Sequence, residues 1–215
     1  MLDLALVVLP NTHLRNPLMY FSLGVLSLAA VAREAGFTVQ IADLRDKRAS
    51  IRHIPPARFT GFSATTGEIE DAKLLASKLK DTITLVGGPH ATLLPSDCAK
   101  FDKVICGEGE VVLPEILSGN LNASVVRAER IKDLDSLPLP AWDLLPAERI
   151  FSRELFPGEK YGQGEPAATV MGSRGCPFQC NFCGNMLRAP VIYLDPESYA
   201  AQLHHLKQTY NLNFF

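Results

Sequence analysis

Short apolar runs, each ended by a turn-forming residue, alternate with segments of helical spacing through the first half of the sequence. The runs predict strands at residues 4–9, 37–42, 59–63, 83–86 and 103–106. Helices are predicted at residues 23–35, 68–80 and 111–117. Continuous apolar runs are typical of strands that are buried on both faces of a parallel sheet. The alternation therefore predicts an α/β fold with a doubly wound parallel sheet.

Four loops follow predicted strands and are expected to meet at one edge of that sheet. They span residues 10–20, 63–67, 87–90 and 107–110. The carboxyl ends of parallel strands share one rim, and such folds bind ligands there. Ser63 and Thr65 offer hydroxyl groups at this rim, while Gly87 and Gly88 let a large polar ligand approach the backbone. These four residues are the candidate ligand contacts.

Charge and hydropathy exclude several classes of function. The 215 residues carry 21 basic and 23 acidic side chains without a block of like charge, so neither a nucleic-acid surface nor a polybasic membrane patch is predicted. The strongly apolar stretch at residues 23–32 is too short to span a bilayer. The amino terminus lacks the basic region of a signal peptide. We expect a soluble cytoplasmic protein, without a membrane span, that takes a small-molecule substrate.

Three of the five cysteines, Cys176, Cys180 and Cys183, lie within eight positions. Clustered thiols in a chain with an odd cysteine count indicate metal binding rather than a disulfide framework. They fall in a loop predicted at 172–185, between a predicted strand at 167–171 and a predicted helix. Three thiolates can hold three irons of a cubane cluster, and the lack of a fourth cysteine nearby leaves one iron open. A zinc site that lacks a ligand and incidental buried thiols remain as alternatives.

Proline interrupts the chain between these two regions. Pro138, Pro140 and Pro146 disfavour helix, so residues 133–146 are predicted to form an extended linker on the surface. After the cysteines, a helix is predicted at 195–210 with Asp195 as its N-cap. Residues 211–215 are predicted to begin one more strand.

Several other polar residues have plainer interpretations. His90 could touch a ligand or stabilise its own turn. Glu108 and Glu110 could bind a ligand, but acids at this position more often begin the next helix, where the helix dipole favours them. Cys98 and Cys106 are expected to be small buried hydrophobes.

The spacing Cys176-x-x-x-Cys180-x-x-Cys183, with an aromatic residue before the third cysteine, resembles the radical S-adenosylmethionine superfamily. The resemblance implies that these cysteines bind a [4Fe–4S] cluster, whose open iron chelates the amino and carboxylate groups of S-adenosylmethionine. One electron from the cluster would cleave the sulfonium and give a 5′-deoxyadenosyl radical that abstracts hydrogen from substrate. Phe182 would lie near the adenine. An electron donor such as flavodoxin or ferredoxin is also implied.

The first half resembles the cobalamin-binding domains that are fused ahead of such enzymes. The segments that carry the resemblance are SLGVLSLAAVAREAGFTVQIADL, TGFSATTGEIEDAKLLASKLK, LVGGPHATLLP and VICGEGE, followed by the linker-like LDSLPLPAWDLLP. By resemblance, Ser63 and Gly87/Gly88 line the slot for the nucleotide tail of cobalamin. The Asp-x-His-x-x-Gly pattern of many such domains is replaced by a stretch around His13. Either cobalamin binds without a protein histidine or the cofactor has been lost, and both alternatives stay open.

The resemblance also implies a division of the chain and a class of reaction. Residues 1–130 would form the cobalamin-binding-like domain, 131–165 a linker, and 166–215 the first piece of a radical S-adenosylmethionine partial (β/α) barrel. Because a barrel needs about 200 residues or more, we expect the chain to be a fragment of a longer protein. The implied activity is methyl transfer, or cyclisation or rearrangement. A non-catalytic cobalamin or cluster carrier and a degenerate interaction domain are the alternatives, and the sequence does not identify the substrate.

Overall fold

The computed structural model describes residues 1–10, 18, 21–47, 50–151, 167–183 and 189–212. Six parallel strands form one sheet in the order β2-β1-β3-β4-β5-β6. The strands are β1 (Leu2–Val8), β2 (Val39–Asp43), β3 (Ala57–Ser63), β4 (Ile83–Gly87), β5 (Lys103–Cys106) and β6 (Val125–Arg127). The predicted doubly wound parallel sheet is therefore confirmed, and β6 is an additional edge strand that the sequence pattern did not reveal.

Helices connect the strands and cover both faces of the sheet. They are α1 (Leu23–Glu34), α2 (Ile69–Ala76), α3 (Pro89–Leu93), α4 (Leu113–Ser118), α5 (Ala147–Ile150) and α6 (Pro196–Tyr210). Short 3-10 turns occur at Ile51–His53, Pro95–Cys98, Gly109–Val111 and Trp142–Leu144. Within the described residues, no helix is long and apolar enough to cross a membrane.

The central strand β1 shows why its apolar run is continuous. Leu4 and Leu6 belong to the core beneath α1 and α4, whereas Ala5 and Val7 belong to the core beneath α2. Successive side chains of a strand point to opposite faces, so a strand covered by helices on both sides has no polar face. The two cores hold the sheet rigidly between them.

The segment predicted as a surface linker contributes to the first of these cores, so that prediction is wrong in part. Trp142 is only 2% exposed, and the Ala141 backbone N–H donates to the Leu26 carbonyl of α1 at 3.1 Å. The Trp142 ring also stacks on His205 of α6, with the ring centroids 6.2 Å apart. The prolines keep this segment out of a long helix, but its apolar side chains are large enough to be drawn under α1.

A separate two-stranded ribbon carries the first of the clustered cysteines. Strand β7 (Ser173–Cys176) pairs antiparallel with β8 (Ala189–Tyr193), with an irregularity between Arg174 and Cys176. The strand predicted at 167–171 is wrong, because Ala167 and Ala168 are buried in irregular structure and the strand begins at Ser173. The small apolar run fills space in the core, so it looks like a strand by composition alone.

The remaining sequence predictions concern the last helix and residues that the structure does not describe. Helix α6 follows Asp195 as expected, although the Asp195 side chain makes no capping hydrogen bond. Most of the loop at 10–20, including His13, lies outside the described residues, as do residues 184–185 of the predicted cysteine loop and residues 213–215 of the last predicted strand.

Candidate functional site

A cavity of about 150 Å³ opens at the carboxyl rim of the sheet, between the strands and helices α1 and α4; we call it the rim cavity. Its apolar wall includes Leu6, Val25, Leu28, Leu85, Ile105 and Leu113. The backbone of six glycines completes the wall: Gly24, Gly61, Gly87, Gly88, Gly107 and Gly109. An apolar cavity of roughly this volume holds one aromatic ring. The absence of side chains at six wall positions lets such a ring lie directly against the main chain.

Three of the four predicted ligand contacts meet in the wall of the rim cavity. Ser63 ends β3, Gly87 ends β4, and Gly88 follows with φ +89°. A Cβ atom on Gly88 would lie 3.0 Å from Ser63 Oγ and 3.1 Å from the Ala64 nitrogen. Only glycine therefore fits this turn without moving the neighbouring strand end. The structure brings Ser63, Gly87 and Gly88 together, while their contact with a ligand stays a prediction.

Thr65, the fourth predicted contact, is not part of the cavity wall. Its backbone N–H and its hydroxyl both donate to Glu68 Oε2, each at 2.8 Å. These two hydrogen bonds close the turn at residues 65–68, which leads into α2 at Ile69. The Thr65 hydroxyl is thus engaged away from the rim cavity.

His90 is held by protein groups on both sides of its ring. The buried ring places Nδ1 3.1 Å from Thr66 Oγ1 and Nε2 2.9 Å from Asp97 Oδ2. Lys73 also donates to Asp97 Oδ2, at 2.9 Å. Hydrogen bonds from Lys73 and then His90 hold the pKa of Asp97 below its ordinary value. These contacts favour the turn-stabilising interpretation of His90 over ligand contact.

The cysteine segment, residues 173–183, is arranged very differently. Cys176 ends β7 and is half-buried, whereas Cys180 and Cys183 are exposed and joined by a turn in which the Cys183 N–H donates to the Cys180 carbonyl at 3.1 Å. Phe182 is 93% exposed and Phe178 is 70% exposed. In the ranges that the structure describes, no group of three His, Cys, Asp or Glu side chains is assembled to hold a metal ion. The three thiols are therefore near in sequence but not gathered in space.

The donor set nevertheless fits an iron–sulfur cluster. Thiolates are the usual ligands of such clusters. Cys180 and Cys183 lie on a short exposed turn, so they can move toward Cys176 without disturbing a buried core. A metal site rarely exists in a segment that is not yet folded, and the binding energy then orders that segment. Cys98 and Cys106 are buried in the sheet domain and are not part of this set, as expected.

A cluster of buried charges, which the sequence analysis did not find, joins the rim cavity to the cysteine segment. In β7, the Nη2 atom of Arg174 lies 2.8 Å from Glu110 Oε1. Its Nη1 atom lies 3.6 Å from Glu108 Oε1. The Ile131 N–H also donates to Glu108 Oε2. Glu110 lies in the 3-10 turn after β5 as well as in the cavity wall. The two acids thus bind an arginine far away in sequence instead of only starting a helix, and nothing in a single sequence pairs them with that arginine.

Comparison with known proteins identifies the first domain. Residues 17–117 match the model of the B12 binding domain. An uncharacterized methyltransferase of Pyrococcus horikoshii is 32% identical over 199 residues, which cover 77% of this chain and 41% of that protein. The anaerobic magnesium-protoporphyrin IX monomethyl ester cyclase of Synechocystis is 27% identical, with 90% and 44% covered. The hopanoid C-3 methylase of Methylococcus capsulatus is 28% identical, with 78% and 38% covered.

The fold also matches a solved structure. The radical S-adenosylmethionine methyltransferase TsrM from Kitasatospora setae, solved with cobalamin and a [4Fe–4S] cluster bound, has a TM-score of 0.60 and 13% identity. The match covers 97% of this chain and 46% of that one. The chain thus spans less than half the length of the relatives that it matches. The order of its segments and its cysteine spacing resemble radical S-adenosylmethionine proteins that carry a cobalamin-binding domain, and the match to the B12 binding domain and the likeness to these relatives agree with that resemblance.

Proposed function

We propose that this chain carries the cobalamin site and the iron–sulfur site of a radical S-adenosylmethionine enzyme. The observation that carries the proposal is the direct contact between the two candidate sites. Glu110 lines the rim cavity and also binds Arg174, which stands two residues before Cys176. A ligand in the cavity and a cluster on the cysteines would therefore lie on neighbouring parts of one surface.

At the cysteine segment, Cys176, Cys180 and Cys183 would hold a [4Fe–4S] cluster with one iron open to S-adenosylmethionine. When bound, the cluster supplies the electron for reductive cleavage of S-adenosylmethionine. The protein's part is to gather three thiolates and to shield them from water. Phe182 would contact the adenine, and its exposed ring is available for that contact within the described part of the chain.

At the rim cavity, Ser63, Gly87 and Gly88 would receive the nucleotide tail of cobalamin. The cavity volume suits one ring of the aromatic base of that tail, and the Ser63 hydroxyl can accept or donate a hydrogen bond. Thr65 would act indirectly, by fixing the start of α2. Because both ring nitrogens of His90 are engaged by Thr66 and Asp97, we infer that His90 is not a ligand of cobalt.

For the reaction we favour methyl transfer to a small-molecule substrate, with cyclisation or rearrangement as the second possibility. Two of the relatives named above are a methyltransferase and a methylase, and the third is a cyclase. Cobalamin would carry the methyl group in the first case. An electron donor such as flavodoxin or ferredoxin would reduce the cluster. Reduced thiols and clusters persist in the cytoplasm, which is the location that we propose.

A second candidate function is a carrier module that binds cobalamin or a cluster without turnover. It is favoured by the rim cavity, whose wall is formed entirely by residues of the sheet domain. Both candidates keep the division into residues 1–130, 131–165 and 166–215 as a proposal. Reductive cleavage of S-adenosylmethionine would separate them, because a carrier binds the cofactors but does not cleave it.

The test is anaerobic reconstitution with iron and sulfide, followed by electron paramagnetic resonance of the reduced protein with and without S-adenosylmethionine. We compare the unaltered chain with Cys176→Ala and with Cys98→Ala. Cys98 is the matched control, because this thiol is fully buried in the sheet domain and burial raises its pKa. A [4Fe–4S] signal that needs Cys176, survives Cys98→Ala and shifts with S-adenosylmethionine supports the enzyme. A signal that ignores S-adenosylmethionine supports the carrier, and the absence of any cluster overturns both for this segment.

A further inference from the structure

Arg174 lies almost buried between the sheet domain and the ribbon. Its side chain is 10% exposed, and the carboxylates of Glu108 and Glu110 that face it are 8% and 7% exposed. A second arginine approaches the same place, because Arg130 Nη2 donates to the Arg174 carbonyl at 2.9 Å. Two acids therefore face one guanidinium group, and a second guanidinium group binds the backbone of the same residue.

The backbone beside Arg174 is fixed as firmly as its side chain. Gly175 has φ +114°, and a Cβ atom there would lie 2.5 Å from Arg130 Nη2 and 2.8 Å from the Pro190 carbonyl oxygen of β8. Only glycine lets the strand pass between these groups. The contacts of Arg174 and Gly175 thus fix the position of Cys176, which follows them at the end of β7.

The charges at this point are costly to bury, so stability alone does not explain them. Replacing a buried ion pair with apolar residues is often neutral or stabilising, whereas removing one partner is strongly destabilising. Within the described residues, Glu108 Oε1 and Arg130 Nε also lack a hydrogen-bond partner. A directional, bidentate group such as guanidinium is suited to holding one strand in a single register against another surface.

We propose that Arg174 is a positioning residue for Cys176, anchored by Glu110 in the wall of the rim cavity. The effect of Arg174 on an iron–sulfur cluster rests on the proposed function above. Through the contact between Arg174 and Glu110, the position of the Cys176 thiol depends on the shape of the cavity wall. Because coupling free energies are reciprocal, cluster loading changes the affinity of the cavity for its ligand by the same factor by which that ligand changes the affinity for the cluster.

The first test uses the cluster-free chain and does not require any cofactor. Cys176 and Cys180 are alkylated with iodoacetamide, and the rate at each is followed by mass spectrometry of peptides. Arg174→Gln should raise the rate at Cys176 by about tenfold or more, because the strand opens when the buried carboxylates lose their partner. The rate at Cys180, on the exposed turn, should change little. Arg127→Gln is the matched control, since Arg127 is exposed at the end of β6.

Further variants separate positioning from general damage. Arg174→Lys should restore part of the protection, because the charge remains but the planar group that reaches toward both carboxylates is lost. Glu110→Gln should raise the Cys176 rate on its own, and it keeps the proposal testable if Arg174→Gln does not fold. If Arg174 and Glu110 act as a pair, the double variant with both substitutions should be no more reactive at Cys176 than Arg174→Gln alone. Unchanged Cys176 reactivity in both single variants would overturn the proposal.

The second test uses the reconstituted chain. Arg174→Gln should retain iron and sulfide close to the unaltered level, but its paramagnetic spectrum should respond less to S-adenosylmethionine. A spectrum and response identical to those of the unaltered chain would also overturn the role of Arg174. If alkylation changes as expected while the unaltered chain assembles no cluster, the positioning role of Arg174 stands and the proposed function fails. The failure of one proposal can therefore be distinguished from the failure of the other.

Discussion

The rim cavity and the cysteine segment are built in opposite ways. The cavity is framed by strands whose side chains are buried in two cores, and its glycine turn is locked before any ligand is bound. The cysteine segment begins on a two-stranded ribbon, and two of its thiols and both phenylalanines are exposed. One candidate site is therefore shaped by the fold, whereas the other must be shaped by what binds to it.

Because of this difference, the two sites use the free energy of ligand binding in different ways. A preformed cavity spends little of the binding energy on ordering the protein, so its affinity reports the fit of the ligand. A loop that gathers its ligands around a metal spends part of the binding energy on ordering itself. The ion pair between Arg174 and Glu110 connects the cysteine segment to the wall of the rim cavity.

The largest expected effect is a gain of order in the exposed turn at residues 178–183 when the cluster is loaded. Amide hydrogen exchange in this turn should slow by about a hundredfold, which corresponds to ligand at about a hundred times its dissociation constant. Amides of β1 and β3 should change by less than about twofold, because those strands are already buried on both faces. Exchange measured by mass spectrometry before and after reconstitution checks this.

The control for this experiment is the Cys176→Ala chain treated in the same way. It should show no slowing at residues 178–183, because the loop then lacks one of its three thiolates. If residues 178–183 are fully protected before loading, the contrast between the two regions is wrong.

A smaller effect is expected from one methyl group at the rim cavity. Gly88→Ala should weaken hydroxocobalamin binding by about tenfold, or about 1.4 kcal/mol, because its Cβ would crowd Ser63 Oγ and the Ala64 nitrogen. Binding is followed by the change in cobalamin absorbance. The comparison is sharpened if this change leaves iron incorporation intact.

Gly36→Ala is the matched control for Gly88→Ala. Both glycines have φ +89°, but a Cβ atom on Gly36 meets nothing within 4 Å. The control therefore introduces the same backbone strain without touching the cavity, and its affinity should equal that of the unaltered chain. Equal affinities in the two variants would mean that cobalamin does not bind against Gly88.

The smallest expected effect concerns the end of the linker and depends on pH. Arg149 donates to Asp46 at 2.6 and 2.9 Å, and this hydrogen bonding is the main reason that the pKa of Asp46 lies below its ordinary value of 3.8. A carboxyl with a lowered pKa in the folded state contributes stability above its unfolded pKa and loses it as the pH falls. Asp46→Asn should therefore destabilise the chain at pH 7 by only about 0.5 kcal/mol, because the pair is partly exposed to solvent.

Urea unfolding at several pH values measures this contribution. The difference between Asp46→Asn and the unaltered chain should shrink as the pH falls below 3.8. Glu148→Gln, an exposed neighbour of Arg149 in α5, should show no such difference. A gap that is independent of pH would mean that this ion pair does not hold α5 to the turn after β2, and would weaken the assignment of this segment to the preformed region.

The sheet could be predicted from sequence because its cause is local. Apolar runs such as 4–9 have no polar face, and that pattern is compatible with few structures other than a strand covered on both sides. Ser63, Gly87 and Gly88 could be placed together for the same reason, since the ends of parallel strands share a rim. Thr65 lies on the same loop, but its side-chain direction depends on Glu68 rather than on topology.

What could not be predicted depends on contacts between distant segments. The prolines around Trp142 indicate an irregular path, but only the space beneath α1 determines that the indole is buried. The acids Glu108 and Glu110 look like an ordinary helix start until Arg174 is brought beside them. Long-range charge pairing leaves no periodic signal in one sequence, so it is visible only in three dimensions.

The order of the strands has a consequence for biosynthesis. Strand β1 pairs with β2 and β3, and each later strand of the sheet adds beside the one before it, so the sheet grows outward in the order in which the chain is made. Domains generally fold as units during synthesis, with the amino-terminal one first. We therefore expect the rim cavity to be complete while the cysteines are still to be translated, so that iron and sulfide are delivered to a scaffold already finished on one side.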